Sequence, residues 1–172
     1  MTAGAGAVVW VTGLPGAGKS TLARALRERL RAAGCPALLL DGDAVRAALS
    51  ATPAYDDAGR DAFYRTLGEL AILAAGDGLV AIVAATAHRR AFRDRVRARA
   101  PRFVEVHVAT PAEVCAARDP KGLWARARAG GAPALPGAGA PYEPPAAAEV
   151  VADGGEDARA LGAVERLVLA DG

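Results

Sequence analysis

The stretch VVWVTGLPGAGKST, residues 8–21, decides the fold. Its first part belongs to an apolar run, Ala7–Val11, of β-branched and aromatic side chains that reads as a buried strand. A glycine-rich loop follows at once, and a helical pattern then runs from Ser20 to Ala33. The loop satisfies G-x-x-x-x-G-K-S/T at Gly13, Gly18, Lys19 and Ser20. Glycines permit positive φ and leave backbone N–H groups free to ring a polyphosphate. Lys19 is placed to bridge the β and γ phosphates as a point charge. The Ser20 hydroxyl is placed to coordinate Mg²⁺, and the positive end of the helix faces the same phosphates. A flexible Gly/Ala linker can match such a pattern by chance. Here strand, loop and helix arrive in the required order, which argues for a nucleoside triphosphate.

Outward from that loop, strand-like runs alternate with helical ones. Leu22, Ala25, Leu26, Arg29 and Leu30 repeat near helical spacing, with Gly34 as a C-cap. PALLLD (Pro36–Asp41) reads as a second strand and AVRAALS as a short helix. GRDAFYRTLGELAILAAGDG reads as a longer helix with Phe63, Leu67, Leu70, Ala71 and Ala74 on one side. Gly78–Thr86 is a continuous apolar strand and therefore central. A basic helix, RRAFRDRVRARA, precedes a fourth strand, Phe103–Val108. TPAEVCAARD carries Thr110 and Glu113 in capping-box positions and Pro111 at N1. Residues 119–147 are rich in proline and glycine and read as a lid or disordered segment, with one helical patch at LWARARAG. AEVVAD is a final strand, and Asp153 is the expected cap of the last helix. Strands separated by helices imply an α/β fold on a parallel sheet with right-handed crossovers. In such sheets ligands bind at the carboxyl ends of the strands, where the glycine loop lies.

The 172 residues amount to one domain, 1–172, long enough to bury a core. The formal net charge is +2 with no basic tail, which gives no reason to expect nucleic acid. Cys35 and Cys115 lack metal-ligand spacing and read as small apolar residues of a reduced compartment. No signal peptide or membrane-length apolar run is seen, so a soluble cytoplasmic protein with no membrane partner is expected, with MTAGAGA a disordered lead-in.

The second strand ends in LDGDAVR, which puts Asp41 and Asp43 at the same sheet edge as the glycine loop. Beside a metal–triphosphate, one carboxylate can hold the metal's water shell and the other can accept a proton from an attacking hydroxyl. Gly42 lets the chain turn toward the ligand, which favours Asp43 as the base. Arg46, one helical turn on, can bind a substrate anion bidentately. A solvated loop with an Asp N-cap fits the spacing about equally well; the neighbouring glycine loop tips the balance. RDPKG (Arg118–Gly122) can close over phosphates and exclude water, which otherwise intercepts the γ-phosphoryl.

Together GLPGAGKST, LDGDAVR, FVEVHVATPAEVCAARDPKGLWARARAG and PYEPP resemble the adenylylsulfate kinase family, from about residue 8 to residue 151. RDPKGL and PYEPP are specific to that family; the glycine loop alone is not. The resemblance implies a P-loop NTPase-type three-layer fold with a lid at about 119–147, usually dimeric. It implies transfer of the ATP γ-phosphoryl to the 3′-hydroxyl of adenylylsulfate. Carried over by position, Gly13, Leu14, Pro15, Gly16, Ala17, Gly18, Lys19, Ser20, Thr21 and Arg118 serve ATP, with Ser20 on Mg²⁺. Asp43, with Lys19, is catalytic. Asp41, Arg46, Tyr55, Arg60, Arg90, Lys121 and Leu135 fall on the acceptor side, with Tyr55 replacing the family's phenylalanine.

This chain departs from the family at three places. Phe63 stands where the family has an asparagine. Thr86-Ala87-His88 stands for Ile-Ser-Pro in the register set by Arg90, so the serine is absent; shifted by one, Thr86 keeps a hydroxyl there. Pro133-Ala134-Leu135-Pro136-Gly137 replaces Lys-Gly-Phe-Thr-Gly, and leucine cannot stack on an adenine as the phenylalanine does. A divergent adenylylsulfate kinase, a same-fold kinase for another small anion, and a nucleotide switch without acceptor are the readings to separate. His88 reads equally as a substrate contact or a loop residue. His107, Trp10 and Trp124 read as structural or packing residues. The arginine-rich run Arg89–Arg102 reads as a solvated face, with Arg90 its one substrate contact.

Overall fold

The computed structural model describes residues 6–131 and 134–170. Most of the expected N-terminal lead-in, and Pro133 of the lid comparison, lie outside the described residues. The elements run β1 (Ala7–Thr12), α1 (Lys19–Ala32), β2 (Ala37–Asp41), α2 (Gly42–Ala48), α3 (Asp57–Gly76), β3 (Val80–Ala84) and α4 (Arg90–Arg97). They continue with β4 (Phe103–Val108), α5 (Ala112–Arg118), α6 (Leu123–Arg128), β5 (Leu135–Pro136), β6 (Gly139–Ala140), β7 (Val150–Ala152) and α7 (Ala158–Leu169).

β2, β3, β1, β4 and β7 form one sheet in that order. Every pairing in it is parallel, with Val9 opposite Ile82 on one side and Val104 on the other. Alternation along the strands divides the core into two layers. Val9, Val11, Ile82 and Val106 face α1 and α7, against Leu22, Leu26, Leu161 and Val164. Val8, Trp10, Ala81 and Val83 face α3 and α4, against Phe63, Leu67, Phe92 and Val96. Gly68 lets α3 approach α4: a Cβ there would lie 2.6 Å from Val96 Cγ2.

Leu70 does not join the α3 stripe; it is 39% exposed, and Tyr64 and Ala75 are buried in that layer instead. Helix α1 closes as a Schellman turn, with Cys35 N–H donating to Leu30 O and Gly34, at φ 75°, donating to Arg31 O. The capping box at Thr110 does not form. Pro111 is the N-cap of α5, and the Thr110 hydroxyl donates to Ala17 O at 2.7 Å, a bond across the sheet edge. Asp157, not Asp153, caps α7, accepting from Ala160 N–H at 3.0 Å. The segment read as irregular carries helix α6 and the paired strands β5 and β6.

Candidate active site

All five parallel strands end on one edge, and the glycine loop leaves β1 there. Gly18 has φ 103°, and a Cβ on it would sit 2.7 Å from Gly155 N, so the loop requires glycine at this point. Lys19 opens α1 and is half-buried, its Nζ donating to Leu14 O at 2.9 Å. Burial, with the charge of Lys121 adding to it, lowers the Lys19 pKa to about 8.

The Ser20 hydroxyl donates to Asp41 Oδ2 at 2.6 Å. Asp41 Oδ1 caps α2, accepting from the N–H groups of Asp43 and Ala44. Burial acts to raise the Asp41 pKa, but the Ser20 hydroxyl and these two N–H groups outweigh it and hold the carboxyl below its ordinary range. A hydroxyl and an ionised carboxylate therefore meet beside the phosphate loop. No group of three or more His, Cys, Asp or Glu side chains that could hold a metal occurs among the described residues. Such a donor set fits Mg²⁺, which keeps several waters and shares substrate phosphates rather than entering an all-protein cage.

Asp43 follows on the first turn of α2 and forms an ion pair with Lys121 from the lid. One cavity of about 590 Å³ is lined by Lys19, Ser20, Asp43, Arg46, Arg60 and Lys121, among others. Asp41, Tyr55 and Leu135 also line it, as do Pro15, Gly16, Gly18 and Thr21 of the loop. The cavity lining includes none of Gly13, Leu14 and Ala17, and Ala17 is fully buried. Arg118 is exposed at the end of α5 and Arg90 is exposed on α4, and the cavity lining includes neither. Arg90 contributes its backbone N–H, which donates to Glu143 Oε2 at 2.8 Å.

A second cavity of about 550 Å³ adjoins the first, since Tyr55, Arg60 and His88 line both. His88 is 4% exposed and edge-packed on Phe92. Burial, helped by Arg60 and Arg89, depresses its pKa, so the imidazole is neutral at pH 7.

Sequence reasoning missed what fastens the lid. Asp119, at φ 27°, turns its carboxylate onto the Trp124 and Ala125 N–H groups and thereby caps α6. Trp124 donates its indole N–H to Pro15 O at 2.9 Å, joining lid to loop. Arg60 Nη2 donates to Ala134 O at 2.7 Å. At the far hinge, Tyr142 bonds Thr12 Oγ1 at 3.0 Å, and Glu143 N–H donates to His88 O. Beneath it Arg93, 1% exposed, donates to Glu105 Oε1, Ala87 O and Glu143 O. The basic run is thus not one solvated face. Only the alternation of Arg93 with the apolar Phe92 and Val96 hinted that it turns inward.

A strand–glycine loop–helix unit, a hydroxyl–carboxylate pair beside it and a carboxylate under a lid define a P-loop phosphotransferase. A family model described as adenylylsulphate kinase matches residues 5–153. An adenylyl-sulfate kinase of Shewanella denitrificans is 50% identical over 148 residues, 85% of this chain and 72% of that one. Among solved structures, the APS kinase of Mycobacterium tuberculosis in complex with AMPPNP and APS superposes with a TM-score of 0.86. It is 36% identical, and the match covers 95% of this chain and 98% of that one. A hexameric APS kinase from Thiobacillus denitrificans is 34% identical with a TM-score of 0.69, over 95% of this chain and 29% of that one. The chain belongs to the adenylylsulphate kinase family. It is an ATP-using phosphotransferase with an alcohol acceptor.

Proposed function

We propose that the chain transfers the γ-phosphoryl of ATP to the 3′-hydroxyl of adenylylsulfate, giving ADP and 3′-phosphoadenylylsulfate. The observation that carries this is the shared cavity, which Lys19, Ser20, Asp43 and Arg60 all line. The loop N–H groups and Lys19 hold the triphosphate and offset its charge. Mg²⁺, held through Ser20 and the water shell facing Asp41, would neutralise phosphate charge as it develops. Asp43 accepts the proton of the 3′-hydroxyl, whose oxygen bonds the γ-phosphorus while the bond to the ADP oxygen breaks. Lys121 pairs with Asp43 until the acceptor hydroxyl takes its place, and the lid excludes water. Arg60 and Arg46 meet the acceptor's anionic end.

The test is ADP release with Mg–ATP and adenylylsulfate, with the product identified by mass spectrometry. No ADP above the acceptor-free rate would reject the reading. A second reading, transfer to a hydroxyl of another small anion, draws on Leu135 and Phe63, which leave the acceptor pocket without the expected aromatic and amide; a panel of hydroxylated anions decides between them. The chain is read as one catalytic domain that pairs as a homodimer, which light scattering would test.

A further inference from the structure

Arg46 is the least ordinary cation in the acceptor pocket. It is only 8% exposed, yet no carboxylate among the described residues pairs with it. Its Nη1 donates to Pro53 O at 2.7 Å. Two rings flank it: its central carbon lies over the Tyr55 ring, 4.4 Å from the centroid, and over the Phe63 ring, 4.0 Å from the centroid. Tyr55 is half exposed, whereas Phe63 is buried at 3% exposure and fixed edge-on against Tyr64 with centroids 5.4 Å apart.

A buried guanidinium without a counter-charge costs free energy unless its surroundings compensate. Ring faces supply part of that compensation and restrict the plane of the group, while the edge donors other than the one on Pro53 O stay unspent. Tyr55 alone, on a loop, cannot fix that plane; Phe63, on a helix and locked in the core, can. An asparagine at 63, which the family pattern calls for, would meet the same space with a polar amide.

We propose that Phe63 is a positioning residue that clamps Arg46 against Tyr55, so that the edge of the guanidinium stays presented to the anionic end of the acceptor. This rests on the reading of the cavity as an acceptor site. The clamp acts on acceptor binding and not on the nucleotide half.

The test compares wild type, Phe63→Leu, Arg46→Met and the double variant by steady-state kinetics with Mg–ATP and adenylylsulfate. Leucine keeps apolar bulk and removes the ring. Phe63→Leu is expected to raise the acceptor KM about tenfold, roughly 1.4 kcal/mol, with kcat and the ATP KM within about twofold. In the Arg46→Met background the same change is expected to shift the acceptor KM by less than about twofold. An unchanged KM, or an equal effect in both backgrounds, would overturn the proposal. A second measurement needs neither acceptor nor variant. In the proton NMR spectrum of wild type, the Arg46 side-chain resonances are expected upfield, shifted by both rings. Resonances at ordinary positions would overturn the clamp whatever the acceptor proves to be. If wild type releases no ADP with adenylylsulfate, the proposed reaction falls, and the NMR spectrum alone decides the clamp.

Discussion

Replacing Arg93 with methionine tests how the lid hinge is held. Arg93 and Glu105 are paired at 2.7 Å with side-chain exposures of 1% and 7%. The substitution keeps most of the stem volume but leaves Glu105 with Arg97 alone, at 3.1 Å, and strips the donor from Ala87 O and Glu143 O. Removing one partner of a buried pair costs about 3–5 kcal/mol, because the remaining charge stays buried. For a chain of 172 residues that corresponds to a fall in Tm of about 10 °C. Urea unfolding followed by far-ultraviolet circular dichroism measures it, with the m-value expected unchanged. Arg93→Met combined with Glu105→Gln is expected to recover at least about 1 kcal/mol, since the stranded charge is gone. A single-variant loss under about 1 kcal/mol, or a double variant no more stable than the single, would refute the assignment of this pair as a buried structural tie.

Asp43→Asn is expected to lower kcat by about 10²–10⁴ while leaving the ATP KM within about threefold, read by ADP release. Lys19, with its pKa lowered to about 8, is neutral above that pH in the free protein. The unfolded chain then holds more protons between pH 8 and 10.5, so this group's contribution to stability rises across that window. Triphosphate binding recharges it, so Mg–ATP affinity is expected to fall as pH rises through 8, with proton uptake visible by calorimetry in buffers of different ionisation enthalpy. Asp119→Ala removes the cap of α6, a loss of about 1 kcal/mol confined to the lid, expected as faster proteolysis around residues 119–131 with little change in global Tm.

What the sequence made readable follows from how local each feature is. The phosphate loop is written in consecutive residues, and the strands β1 and β3 are apolar runs that have no other stable place than a covered sheet. The parallel order follows from the helices between them. Features set by distant partners were not readable. Thr110 and Pro111 carry a capping signal, but the hydroxyl found the Ala17 carbonyl, 93 residues away in sequence. Asp153 and Asp157 are both able caps, and only the position of β7 selects the second. Arg93 belongs to a charged run whose neighbours do face solvent; its burial depends on Glu105 from β4 and on the PYEPP segment. Of the residues that the family resemblance put on the acceptor side, Arg46, Arg60, Tyr55 and Lys121 line one cavity, while Arg90 is not in its lining and His88 is. The stack on Arg46 was unreadable because Phe63 and Tyr55 approach it from separate elements.

The bond between Trp124 and Pro15 has a practical consequence. The chain has two indoles. Trp10 is sealed in the sheet, whereas Trp124 is tied to the phosphate loop. Fluorescence therefore separates into a constant background and a signal from the junction that nucleotide must disturb, so occupancy and opening can be timed in a stopped-flow instrument with no dye attached.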